Sequence, residues 1–194
     1  IIVGLLLFGM EIDYLNPPFP IALISLPVNE IIILAVTLSF ARYKRANLKN
    51  LGLKRVNPKT LAIVSVAAVL LFLLAIGISA GEEIVFGPDP MAKLIEKSIT
   101  PRNSFQLVAM IALSLALVGP CEELAFRGFI QKGFENSFGK MKGLLITSVT
   151  FGLLHGLNSL YAIVPVFAIS LVLGYVWQRT SGNTTCLLYT SPSP

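Results

Sequence analysis

Residues Phe105 to Phe129 read FQLVAMIALSLALVGPCEELAFRGF. From Phe105 to Cys121 there is no charge, and a hydrocarbon core of roughly 30 Å is crossed by about 20 such helical residues. The stretch is a membrane span that then admits two glutamates and an arginine. The rest of the chain has the same character: 55% of its 194 residues are hydrophobic and 13% are charged. A soluble domain carries about 25% charged residues, and half that share cannot dress a water-facing surface. A cytosolic enzyme, a disordered tail and a secreted disulfide scaffold are all excluded.

Other apolar runs cover Ile1 to Met10, Ile21 to Ala41 with Pro27, Asn29 and Glu30 inside it, Thr60 to Ala80, Gly143 to Leu157, and Leu160 to Trp177. The expectation is an all-α polytopic membrane protein of about six transmembrane helices, with its site in a membrane-embedded cavity. Residues 1–185 read as one membrane domain, cut at both ends, because the chain opens inside an apolar run without methionine. Within the loop after the Thr60 to Ala80 run, Met91, Leu94, Ile95 and Ile99 recur at helical spacing beside Lys93, Glu96 and Lys97. That pattern predicts an amphipathic helix in the interface.

The net charge of +5 is written at the span ends. Between Ala41 and Lys59 lie Arg42, Lys44, Arg45, Lys49, Lys54, Arg55 and Lys59 with no acidic residue, which marks a cytoplasmic loop. One crossing away, Glu82, Glu83 and Asp89 mix with Lys93 and Arg102, so that loop faces outward. The next crossing returns to Lys132, Lys140 and Lys142 inside. Integral placement in a cell membrane, prokaryotic by expectation, follows. Anionic lipid can meet the basic loop, whereas no nucleic-acid partner is expected, Tyr43 being the one aromatic residue among the basic ones. Tyr175 and Trp177 read as an interfacial aromatic belt. Cys121 and Cys186 make neither a disulfide framework nor a metal motif.

Charge inside a span costs at least about 2.5 to 3.5 kcal/mol per group, so Glu122, Glu123 and Arg127 need a reason. Glu123 and Arg127 are spaced i,i+4 and can neutralise each other on one helix face. Glu122 is turned about 140° from Arg127 at 100° per residue and has no such partner within the helix. It is therefore the carboxylate free to act as a general base. Pro120 removes a backbone donor just upstream and opens room beside it. By contrast Glu82-Glu83 has Gly87 four residues on and reads as a solvated loop pair.

The only histidine, His155, sits in Phe151-Gly152-Leu153-Leu154-His155-Gly156. It lies roughly 20 Å of helix from Lys142, and Glu122 lies roughly 15 Å from Lys132, so the two can meet at similar depth. A carboxylate and an imidazole in a wet cavity can position and deprotonate water for attack on a peptide carbonyl. Neither GxSxG nor HExxH is present. A salt-bridged packing device, a noncatalytic membrane scaffold and a proton-coupled transporter are the competing readings. No repeat supports transport. Glu30, about 18 Å of helix from Arg42, and Asn158 are candidate cavity residues.

Glu122-Glu123-x-x-x-Arg127 followed by Phe151-x-x-x-His155 resembles the CAAX protease and bacteriocin-processing (Abi) family of intramembrane endopeptidases. Phe167, Gly174 and Gly182-Asn183 add to the likeness, which spans roughly residues 49 to 185. The resemblance implies an all-helical membrane protease in which Glu122 activates water with help from His155, while Glu123, Arg127 and Phe151 support the site. It implies a peptide or protein substrate, prenylated or a leader peptide, cut near the cytoplasmic leaflet, or, in noncatalytic relatives, bacteriocin immunity. It leaves both a metal-dependent and a metal-free mechanism open. One histidine and two glutamates make an incomplete shell for a divalent metal such as zinc, which takes three protein ligands at catalytic sites.

The family pattern continues after Gly-Asn with a HxxxN helix, which this chain lacks. It ends instead in Cys186-Leu187-Leu188-Tyr189-Thr190-Ser191-Pro192-Ser193-Pro194. Residues 186–194 read as a non-native tail, and the chain as written is expected to lack part of its active site.

Overall fold

The computed structural model describes residues 19–43, 58–180 and 182–185. The expected first span, most of the basic loop and the tail at 186–194 lie outside the described residues. Among the described residues six helices follow one another: α1 Phe19–Tyr43, α2 Pro58–Phe86, α3 Pro90–Ile99, α4 Ser104–Phe138, α5 Lys140–Gly156 and α6 Ile163–Arg179, the last entered through a 3₁₀ turn at Leu160–Ala162. No strand occurs among the described residues. Four segments, Leu23–Tyr43, Ser65–Phe86, Ser104–Phe138 and Leu160–Arg179, are long and apolar enough to cross a membrane. Helix α5, at 17 residues, reaches about 25 Å at 1.5 Å per residue.

Burial is inverted relative to a soluble protein. Val66, Val69, Leu70, Phe72 and Leu73 of α2 are more than half exposed, while Glu123 and Arg127 are 0% exposed and Gln131 and Ser170 are 1% exposed. Lipid solvates the first group and cannot solvate the second, so polar side chains gather between helices and find one another.

Helix α4 does not break at Pro120. Its α-helical turn Gly119–Glu123 is flanked by π-helical stretches at Ser114–Val118 and Leu124–Gln131. The Gly119 amide reaches back five residues to the Ser114 carbonyl, so the ladder widens just where Pro120 has no N–H to give and its ring would crowd the turn before it. Pro27 likewise remains inside an unbroken α1.

Helices α5 and α6 form the closest pair, α1 crosses α4 at its central turn, and α2 lies along α6. Gly174 permits the tight approach: a Cβ there would stand 2.5 Å from Leu144 Cδ1 and 2.7 Å from Gln131 Oε1. Gln131 Nε2 donates to the Gly174 carbonyl at 3.1 Å and to Glu135 Oε1 at 2.8 Å, and Gln178 Nε2 donates to the same Glu135 oxygen at 2.7 Å. This ladder ties the end of α4 to α6.

The amphipathic helix is found as α3, opened by Asp89 as its N-cap. Two other readings need correction. Glu82-Glu83 is not in a loop but in the last turns of α2, because nothing stops that helix until Gly87 at φ 86° followed by Pro88. Trp177 is not a belt residue; it is buried against Leu71 and Leu173, and its Nε1 donates to Thr184 Oγ1 at 3.0 Å. Tyr175, on the neighbouring face, is exposed.

Candidate active site

The central turn of α4 carries Glu122 and the last turn of α5 carries His155, and the packing of the two helices brings His155 Nε2 to 3.8 Å from Glu122 Oε1. The other ring nitrogen, Nδ1, lies 3.0 Å from the Phe151 carbonyl oxygen. A carbonyl only accepts, so Nδ1 carries a proton, and in the neutral form of the ring Nε2 presents its bare lone pair toward Glu122. At 3.8 Å the pair is too far apart for a direct hydrogen bond.

Beneath this pair, Arg127 Nη1 stands 3.2 Å from Glu123 Oε1, with both side chains fully buried. Arg127 Nη2 donates to Ser170 Oγ of α6 at 3.2 Å. The guanidinium carbon sits 4.9 Å from the centre of the Phe151 ring. Phe126 meets that ring edge-on at 4.5 Å between centroids, and the His155 ring lies 4.5 Å from it. Phe151 thus links the buried ion pair to the imidazole, holding His155 through its backbone oxygen and its ring face. Phe126 and Ser170 belong to this support and escaped the sequence reading. Phe126 looks like any span residue, and Ser170 is recognisable only once α6 is laid against α4.

Glu30 comes from α1 where that helix crosses Gly119–Glu123. It is 5% exposed, one of its carboxylate oxygens has no hydrogen-bond partner, and it lies near enough to Glu122 to act on it electrostatically. Asn158 follows His155 in the turn after α5, its amide donating to the His155 carbonyl at 3.0 Å. His155, Asn158, Ser159 and Val166 line one side of a cleft of about 660 Å³, and Ala92, Ile95, Glu96 and Ile99 of α3 line the other. The cleft is at the far end of α5 from Lys140, so its mouth and the basic helix ends occupy opposite faces.

Among the described residues, no three His, Cys, Asp or Glu side chains are gathered closely enough to hold a metal ion. The donors present do not make the three-ligand shell of a catalytic zinc.

A carboxylate and an imidazole face each other between apolar helices beside a buried ion pair, with the imidazole on the lining of the cleft, and the class so defined is an integral, all-helical membrane protein. Residues 104–189 match the family model described as type II CAAX prenyl endopeptidase Rce1-like, a match consistent with the CAAX protease family. The match takes in α4, α5 and α6 with Glu122, Glu123, Arg127, Phe151, His155 and Asn158; it leaves out Glu30 and α3. No curated relative and no solved structure matches the chain.

Proposed function

We propose that the protein is an intramembrane endopeptidase in which Glu122 and His155 activate water for attack on a peptide bond. The 3.8 Å approach of His155 Nε2 to Glu122 Oε1 carries this reading. A water between them donates one hydrogen to the bare Nε2, which orients it, and the other to the Glu122 carboxylate. As the water oxygen adds to the carbonyl carbon, that second proton passes to Glu122. The tetrahedral intermediate then expels the amine as the C–N bond breaks, and Glu122 returns the proton to the leaving nitrogen. The products are a carboxylic acid and an amine, and the catalyst is restored.

Glu123 and Arg127 act as positioning residues through Phe151. The side-chain amide of Asn158 lines the same cleft and is the candidate donor to the carbonyl oxygen as it gains charge. No step runs through a metal. The substrate is a membrane-associated peptide or protein, with a prenylated C-terminal peptide or a leader peptide as the two classes to compare. Leu26, Ile95, Ile99 and Val166 give the cleft an apolar lining suited to either. With the basic loop on the cytoplasmic side, the cleft opens on the opposite face.

The test is cleavage of internally quenched farnesylated CAAX and leader-type peptides by the protein in liposomes. Cleavage abolished by Glu122→Gln and by His155→Ala supports the reading; cleavage at the parental rate in either variant overturns it.

A further inference from the structure

One carboxylate at the edge of the cleft uses its two oxygens on two different helices. Asp89 Oδ1 accepts the Met91 amide at 2.8 Å and so caps the start of α3. Asp89 Oδ2 accepts the hydroxyl of Ser159, which is 9% exposed and lies 70 residues further along the chain. Ser159 belongs to the turn that ends α5, and its amide donates to the His155 carbonyl at 3.3 Å, beside the Asn158 bond at 3.0 Å. A continuous path of hydrogen bonds therefore runs from the first turn of α3 through Asp89 and Ser159 to the backbone of His155. The cleft lies between those two ends, with Asp89, Ser159 and His155 all on its lining.

We propose that Asp89 and Ser159 are positioning residues that fix α3 as the wall of the substrate cleft facing His155. This rests on the reading of Glu122 and His155 as the water-activating pair. A peptide lying in the cleft touches Ala92, Ile95 and Ile99 on one side while its scissile bond meets His155 on the other. The distance between the sides is set where the two helix ends are joined. A hydrogen bond to an ionised carboxylate is among the stronger single contacts available, and this one closes the cleft at the end where α3 begins. α3 is short, carries its apolar residues on one face and otherwise packs on α1, so without the bond its first turn can swing away along the membrane interface. Loss of the bond widens the cleft and weakens substrate binding, while Glu122 and His155 keep their mutual geometry.

Ser159→Ala removes the bond and leaves the cap of α3 intact. Asp89→Asn also keeps a good N-cap side chain but removes the charge. Ser159→Thr retains a hydroxyl. Nitroxide labels at Met91→Cys and Leu157→Cys, both exposed positions, in a Cys121→Ala/Cys186→Ala background report the α3 to α5 distance by pulsed electron resonance in liposomes. The expected result is one narrow distance in the parent and in Ser159→Thr, and a broadened, longer distribution in Ser159→Ala and in Asp89→Asn. An unchanged distribution in Ser159→Ala overturns the proposal. With the farnesylated quenched peptide, KM rises about tenfold in Ser159→Ala while kcat stays within about twofold, and the double variant with Asp89→Asn is no worse than the worse single one. A fall in kcat with KM unchanged also overturns it. If the parent cleaves no peptide, the catalytic reading fails, and the distance measurement still decides the role of Asp89 and Ser159 by itself.

Discussion

His155 Nε2 faces Glu122 Oε1 across 3.8 Å while its Nδ1 is engaged by the Phe151 carbonyl at 3.0 Å. The orientation is imposed one helical turn back, at the residue whose ring also covers Arg127 at 4.9 Å. Phe151 thus fixes the imidazole in both rotation and tautomer. Phe151→Leu keeps the carbonyl and loses the ring, and is expected to lower kcat about tenfold with KM little changed. Steady-state kinetics on the quenched peptide check this split.

The ion pair of Glu123 and Arg127 is fully buried, so removing one partner strands the other. Arg127→Met is expected to destabilise the protein by about 3 to 5 kcal/mol. The double variant Glu123→Gln/Arg127→Met should recover much of that loss, because no uncompensated charge is left. Thermal unfolding in detergent measures both. Equal losses in the single and double variants would contradict the assignment of a mutually neutralising pair.

Glu30 brings a carboxylate with an unpartnered oxygen into the neighbourhood of Glu122. Glu30→Gln keeps the volume and removes the like charge, and is expected to stabilise the protein by about 1 to 3 kcal/mol. A drop in melting temperature would instead show that the charge of Glu30 is used.

Gly174→Ala places a Cβ 2.5 Å from Leu144 and 2.7 Å from Gln131. The expected cost is about 1 to 3 kcal/mol of overpacking. Gly77→Ala in α2 meets nothing within 4 Å and should be neutral or stabilising by up to about 1 kcal/mol, since it only removes backbone freedom. The two melting temperatures, measured side by side, separate packing from propensity.

The Ser159 hydroxyl, together with the Met91 and Ala92 amides, holds the Asp89 carboxyl below its ordinary value of 3.8. A depressed carboxylate stabilises the fold at pH above that value, and the contribution is lost as pH falls through the lowered one. The α3 to α5 distance should therefore stay narrow through neutral and mildly acidic pH and broaden only below about pH 4. Glu83 of α2, Lys93 and Glu96 of α3, and His155 of α5 share the cleft. Broadening that sets in well above pH 4 would contradict the role of Asp89.

The membrane class, the helices and the pairing of Glu123 with Arg127 were legible in the sequence because each has a one-dimensional signature: apolar runs, basic flanks, and i,i+4 spacing. The pairing of His155 with Glu122 was legible as a match of depth. What was not legible depends on which helix faces lie together. Ser170 meeting Arg127, Gln131 bridging Glu135 and Gly174, and Ser159 reaching Asp89 across 70 residues leave no periodic trace. The extension of α2 through Glu82-Glu83 was missed because charge was read as a stop, although the actual stop is Gly87-Pro88. Trp177 was read as an interface residue by type, and only the packing of α2 on α6 shows it buried.

The central claim is that Glu122 and His155 together activate water. The direct measurement is kcat/KM for an internally quenched farnesylated CAAX peptide, with the protein in liposomes, for the parent, Glu122→Gln, His155→Ala and the double variant. Loss of either group should lower the rate by about 10² to 10⁴, with the double variant no slower than the slower single one, as expected of residues acting on one water. Cleavage at the parental rate in either single variant would contradict the account.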